Sequence, residues 1–185
     1  MRIIWCYWGS LVCSMEFDIL YAIQEIHNPI LDFIMVFVST ITNHGELWIA
    51  IGLILLCFKS TRKTGFVVLT ALLLMLIISN LILKNLIMRD RPCWIDTTVE
   101  LLVKCPDSYS FPSGHTASGF AAAISIFMYH KKGGILAVLL AATIAFSRMY
   151  LFVHFPTDIL GGIIIGSMIA IAAGWIVKYM YKDTI

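Results

Sequence analysis

Apolar side chains run in long blocks along the 185-residue chain, interrupted by short polar segments. The blocks show neither the alternation of a half-buried strand nor the single apolar stripe of a surface helix. A hydrocarbon core about 30 Å thick needs about 20 helical residues, and the blocks 64–83 and 159–177 meet that length without a charge. Blocks 116–129 and 134–147 are shorter, but uncharged or amphipathic flanks extend them. Upstream, 33–45 and 47–58 are uncharged runs of 13 and 12 residues separated only by Glu46. One long tilted span is the alternative to a hairpin here. The hairpin is favoured because Asn43-His44-Gly45 supplies turn chemistry, and a single helix would place Glu46 in hydrocarbon. Before these blocks, Phe17, Leu20, Ile23 and Ile26 repeat at helical spacing opposite Asp18 and Glu25, the pattern of an interfacial helix. The expected fold is all-α: a polytopic membrane helical bundle with about six transmembrane helices, divided into an N-terminal interfacial segment (1–28) and a membrane-embedded domain (29–185).

Composition agrees and excludes other classes. With 60% apolar and 13% charged residues and a mean hydropathy of +0.91, the chain cannot cover a water-exposed surface. Twelve Gly, five Pro and five Cys are too few for a disordered, collagen-like or disulfide-dense protein. The net charge of +2 matters less than where the cations fall. If six helices alternate, Lys59, Arg62, Lys63, Lys131, Lys132, Lys178 and Lys182 share one side, whereas Lys84, Arg89, Arg91, Lys104 and Arg148 share the other. The positive-inside rule makes the first side cytoplasmic, so the segment 92–114 faces outward, whichever reading of 33–58 holds.

Residues 3–15 follow Arg2 and look like a signal peptide, but no small-x-small cleavage site appears before Glu16, so the segment is not read as one. Met15 is an alternative start to Met1, and the mass of the natively expressed protein distinguishes them. Cys6, Cys13 and Cys57 lie in apolar stretches, where a thiol behaves as a small hydrophobe. Cys93 and Cys105 share the outward segment; a disulfide there needs an oxidising compartment and Cα atoms within about 7 Å, and the sequence leaves the pairing open.

Charge at membrane depth is costly and marks function. Three segments carry it. The first, Lys84 to Pro92, ends the 64–86 helix; Lys84 and Arg91 are seven residues apart, which aligns them if helix persists, and a snorkelling basic cap is the plain alternative. The second, Ser110 to Thr116, opens the next helix: Ser113 is a candidate N-cap, Gly114 permits close backbone approach, and the free N–H groups suit an anion such as phosphate. An ordinary cap followed by an interfacial His115 is the alternative. In the third, Ser147 to Asp158, Pro156 biases Phe155 away from helix, so His154 is expected to end one helix and Asp158 to lie in the first turn of the next. Asp158 there either complements the helix dipole or orients His154.

By the alternation of spans all three segments meet at the outer face. Three cations (Lys84, Arg91, Arg148) and a helix N-terminus suit a phosphate or diphosphate. Two histidines can divide the roles of nucleophile and general acid. His115, His154 and Asp158 are also metal-ligand types, but three neighbouring cations disfavour a divalent ion, so no metal is expected.

The three segments, in this order, resemble the signature of the type 2 phosphatidic acid phosphatase superfamily of membrane lipid phosphatases. Lys-x6-Arg-Pro matches Lys84 to Pro92, Pro-Ser-Gly-His matches Pro112 to His115, and Ser-Arg-x5-His-x3-Asp matches Ser147 to Asp158, with no departure. The resemblance implies that His154 attacks phosphorus to form a phosphohistidine, Asp158 orients it and His115 protonates the leaving oxygen. Lys84, Arg91, Arg148, Ser113 and the Gly114 backbone would bind the phosphate, with no metal or other cofactor. Small members with an outward-facing site resemble undecaprenyl diphosphate phosphatases of bacterial plasma membranes, which makes that lipid the first expectation, followed by phosphatidylglycerophosphate and phosphatidic acid. Arg89 offers either extra charge for a diphosphate or a contact to anionic lipid heads. Partners are then a lipid phosphate substrate and membrane lipids, with no nucleic acid, and the oligomeric state is not specified. Two rivals remain: a non-enzymatic transporter or lipid-binding protein, which phosphate release would exclude, and a soluble vanadium haloperoxidase, which the apolar spans argue against.

Overall fold

The computed structural model describes residues 10–182, and these form helices and connecting segments with no strand among them. Cys6, most of the apolar run after Arg2 and the Met1 start lie outside the described residues. In chain order the helices are α1 (Ser10–Gln24), α2 (Pro29–Thr40) and α3 (Glu46–Cys57), followed by α4 (Arg62–Met75). A π-helical stretch (Leu76–Leu83) and a last turn (Lys84–Ile87) continue α4. Next come the one-turn α5 (Pro92–Ile95), α6 (Gly114–Tyr129), α7 (Lys131–Tyr150) and α8 (Pro156–Lys182). Arg62–Ile95, Lys131–Tyr150 and Pro156–Met180 are long and apolar enough to cross a membrane, and α2 and α3 are shorter apolar helices.

The expected hairpin is present. A 3-10 turn, Asn43–Gly45, joins α2 to α3, and Gly45 takes φ +77°, where a side chain would be strained. Large apolar side chains such as Phe33, Leu73, Leu136, Leu160 and Trp175 stay exposed around the bundle, as a lipid-facing surface requires. Inside, small residues bring the helices close. A Cβ on Gly166 would fall 2.4 Å from the Ala117 carbonyl oxygen, so α8 can lie against α6 only with glycine there. This close crossing brings the first turns of α6 and α8 side by side, where the Ser113 amide donates to the Asp158 carbonyl at 3.1 Å.

α1 docks at this same end of the bundle, through Phe17 on Phe155 and the Tyr21 hydroxyl on Asp96. α2 meets it twice, with Asp32 bonded to the Tyr150 hydroxyl and Ser39 to Arg148. Cys93 and Cys105 are disulfide-bonded, with Cα atoms 6.2 Å apart, which settles the question left open by the sequence. The bridge ties α5 to the loop that runs on to Ser108 and Ser110. Cys57, by contrast, is an exposed free thiol.

Candidate active site

α7 stops at Tyr150, and Phe152, at φ 56°, turns the chain before Pro156 opens α8. His154 therefore lies in the link between the helices and not at a helix end as expected. It is 2% exposed, and Asp158, in the first turn of α8, is fully buried. Asp158 Oδ2 is 3.4 Å from His154 Nδ1 and accepts from the Phe155 amide at 2.9 Å and the Ser110 hydroxyl at 2.5 Å. Ser110 Oγ also stands 3.3 Å from Nδ1.

On the other side of the ring, Arg91 Nη1 is 3.0 Å from His154 Nε2. A guanidinium has only donors, so Nε2 must present its lone pair and Nδ1 must carry the hydrogen, aimed at Asp158 and Ser110. Burial, and then the charges of Arg91, Arg148 and Lys84, hold His154 well below the ordinary imidazole range, so the ring is neutral. A neutral imidazole with a fixed tautomer and an Nε2 lone pair is a competent nucleophile.

Lys84 and Arg91 do not share a helix. The chain breaks at Met88 (φ 51°), and Arg91 is extended before α5. The two still converge on Ser108: Arg91 Nε donates to its carbonyl at 2.6 Å, and Lys84 Nζ to its hydroxyl at 3.3 Å. Arg91 Nη1 also donates to the Val153 carbonyl at 2.8 Å, which pins the guanidinium beside the link that carries His154. Arg148, 5% exposed, is held by the Ser39 hydroxyl.

Together these groups line a cavity of about 910 Å³ whose polar end carries Lys84, Arg91, Gly114, His115, Arg148 and His154. Its apolar end, with Ile49, Leu72, Leu73 and Leu76, runs between α3 and α4. Leu73 and Leu76 are 58% and 48% exposed, so both also contribute to the outer surface of the bundle. Asp158 and Ser113 stand outside the lining. Ser113 was expected to hold phosphate; it is fully buried, and its hydroxyl caps α6 by accepting from the Thr116 amide and also accepts from Thr116 Oγ1 at 3.0 Å. What reaches the cavity from that turn is Gly114 and the positive end of the helix.

Several contributors carried no signal in the sequence. Asn43 Oδ1 lies 3.1 Å from His115 Nε2, so that nitrogen bears a hydrogen, as a proton donor must. Asn43 had marked only a turn. Ser39 and Ser108 hold Arg148 and Arg91 yet sit in unremarkable apolar or polar surroundings in the chain, and Ser110, which holds Asp158, begins the second segment but had no role assigned to it there. Arg89 was expected to face substrate or lipid heads, but it turns inward to Asp158 and Glu16.

Comparison with known proteins agrees with this geometry. The model of the PAP2 superfamily matches residues 64–182, which contain all three motif segments. The chain belongs to the PAP2 superfamily. It is 31% identical to the undecaprenyl-diphosphatase of Sulfolobus acidocaldarius over 76% of this chain and 68% of that one. It is 29% identical to the undecaprenyl-diphosphatase BcrC of Bacillus subtilis, over 84% and 80%. Among solved structures, the transmembrane PAP2 type phosphatidylglycerolphosphate phosphatase of Bacillus subtilis superposes with a TM-score of 0.71 at 26% identity, over 93% of this chain and 87% of that one. This PAP2 protein is thus an integral-membrane phosphatase acting on lipid phosphates.

Proposed function

We propose that the protein hydrolyses undecaprenyl diphosphate to undecaprenyl phosphate and inorganic phosphate, at the outward face of a bacterial plasma membrane. One arrangement supports this most: a neutral histidine lone pair and a histidine N–H border the same cation-lined cavity, which is also lined by apolar side chains of α3 and α4. His154 Nε2 attacks the terminal phosphorus, and the bond to the bridging oxygen breaks. His115, acting as the imidazolium, passes its Nε2 proton to that oxygen and becomes neutral, and the lipid monophosphate leaves. Water then attacks the phosphohistidine, gives its proton to His115 and releases phosphate and free His154. Lys84, Arg91, Arg148 and the α6 N-terminus stabilise the charge spread over the equatorial oxygens.

The apolar slot suits a polyisoprenoid tail, and Lys104 and Asn80 add polar groups to the cavity wall for a second phosphate. Two relatives named as undecaprenyl-diphosphatases support the same head group. A phosphatidylglycerophosphate substrate is the second reading, favoured by the structural match to a phosphatase of that name. Phosphate release in detergent from undecaprenyl diphosphate, phosphatidylglycerophosphate and phosphatidic acid, with EDTA present, tests both. The fastest turnover is expected on the diphosphate. A higher kcat/KM on phosphatidylglycerophosphate would replace the first reading with the second, and no release from any of the three would favour a binding or transport protein.

A further inference from the structure

Behind His154, on the side away from the cavity, lies a second charged cluster. Arg89 Nη1 donates to Asp158 Oδ1 at 2.7 Å and to Thr157 Oγ1 at 2.6 Å. Its Nη2 donates to Glu16 Oε2 at 2.6 Å, and its guanidinium stands over the Phe155 ring, 4.3 Å from the centroid. Glu16 Oε1 in turn accepts from the Thr157 hydroxyl and, at 3.2 Å, from the Thr157 amide. The result is a closed ring of Glu16, Arg89, Thr157 and Asp158, in which Glu16 is 5% exposed and Asp158 fully buried. Glu16 belongs to α1, outside the 64–182 region that defines the family.

Two buried carboxylates and one guanidinium make little sense as a mere tether for α1, because apolar contacts would dock that helix without desolvating three charges. The arrangement does something more specific for Asp158. Arg89 takes one carboxylate oxygen, which leaves Oδ2 for Ser110, the Phe155 amide and His154 Nδ1. Glu16 fixes Arg89 by its second nitrogen and, by accepting from the Thr157 amide, holds the turn that carries Asp158.

We propose that Arg89 and Glu16 are positioning residues for the nucleophile: they hold the Asp158 carboxylate aimed at His154 Nδ1, which makes helix α1 a working part of the enzyme. The proposal rests on the phosphohistidine reading above. Neither residue lines the cavity, so both should act on turnover and leave phosphate binding alone.

The test compares full-length wild type, R89M, R89K, E16Q, E16A and the E16A/R89M double variant in detergent, by kcat, KM, vanadate inhibition and melting temperature. R89M should lower kcat about 10–100-fold, the range for removing a group that orients an active-site ligand. Its KM and vanadate inhibition constant should stay within about threefold of wild type. R89K should recover part of the loss, and near-isosteric E16Q should lose less than E16A. The double variant should lose less than the product of the two single losses, because Glu16 acts in part through Arg89. A folded R89M with kcat within about twofold of wild type would overturn the proposal. So would a vanadate constant that rises as far as kcat falls, which would put Arg89 on the substrate. Losses that follow melting temperature and that R89K does not recover would reduce the ring to a tether, against the proposal. A wild-type protein that releases no phosphate would instead sink the phosphatase reading, before any variant is compared.

Discussion

Helices α4 to α8 and helices α1 to α3 reach the cavity by different routes. The first group delivers Lys84, Arg91, Gly114, His115, Arg148 and His154 from three short segments of fixed spacing. The second delivers single side chains from scattered positions: Glu16 to Arg89, Ser39 to Arg148 and Asn43 to His115. The proposed reacting and phosphate-facing groups thus come from one region, whereas the groups that fix their orientation come from both, Ser108, Ser110 and Asp158 from the first and Glu16, Ser39 and Asn43 from the second. Reacting groups must keep a common geometry around phosphorus, which constrains their spacing. An orienting hydrogen bond can arrive from any backbone that passes within reach, so it leaves no spacing to read.

The contrast is open to attack at several depths, starting where the effect should be greatest. His154→Ala should lower kcat about 10⁴-fold or more, since no second nucleophile stands at that point; substantial phosphate release by the purified variant would remove the assignment. Asp158→Asn should cost about 10²–10⁴-fold, as an amide can offer Nδ1 the wrong partner and favour the other tautomer. Trapping with labelled lipid substrate followed by base-stable phosphohistidine detection should show slower formation of the intermediate in that variant.

Effects in the N-terminal region should be smaller and confined to orientation. Asn43→Ala and Ser39→Ala should each lower kcat/KM roughly tenfold. Losses as deep as those of His154→Ala would erase the distinction between the two regions. The pH profile gives a finer check. Only neutral His154 can attack, and burial with Arg91, Arg148 and Lys84 nearby disfavours its cation, so protonation should occur below the ordinary value of 6.5. As pH falls through 6.5, kcat/KM should therefore stay level on account of this group and decline only further into acid. An acid limb centred at or above 6.5 that persists in Asp158→Asn would contradict the buried, cation-flanked imidazole. The smallest expected change is none: EDTA should leave the rate unaltered.

Much of the site was legible because motif spacing survives where helix geometry does not. Lys84 and Arg91 were expected to align along one helix; the chain breaks at Met88, and they meet through Ser108 instead. Their convergence was readable, its cause was not. Ser113 was read correctly as a cap, but the same hydrogen bonds that make it a cap turn its hydroxyl from the cavity. Arg89 looked like a spare cation for a head group, because nothing in its neighbours reveals that Glu16, 73 residues earlier, folds back to it.

The sequence alone determined the solvent and the fold class, and its three motif segments pointed to the chemistry proposed. Long uncharged blocks require lipid around helices, and few charges in such a chain must be concentrated where they act. Tertiary structure decided the partnerships: the Cys93–Cys105 bond, the tautomer of His154, the hydrogen on His115 Nε2 and the inward turn of Arg89. Hydrophobic burial is roughly additive along a chain and so can be read from it. Hydrogen bonds and ion pairs depend on atoms brought within about 3 Å of one another, and only the packed bundle sets those distances.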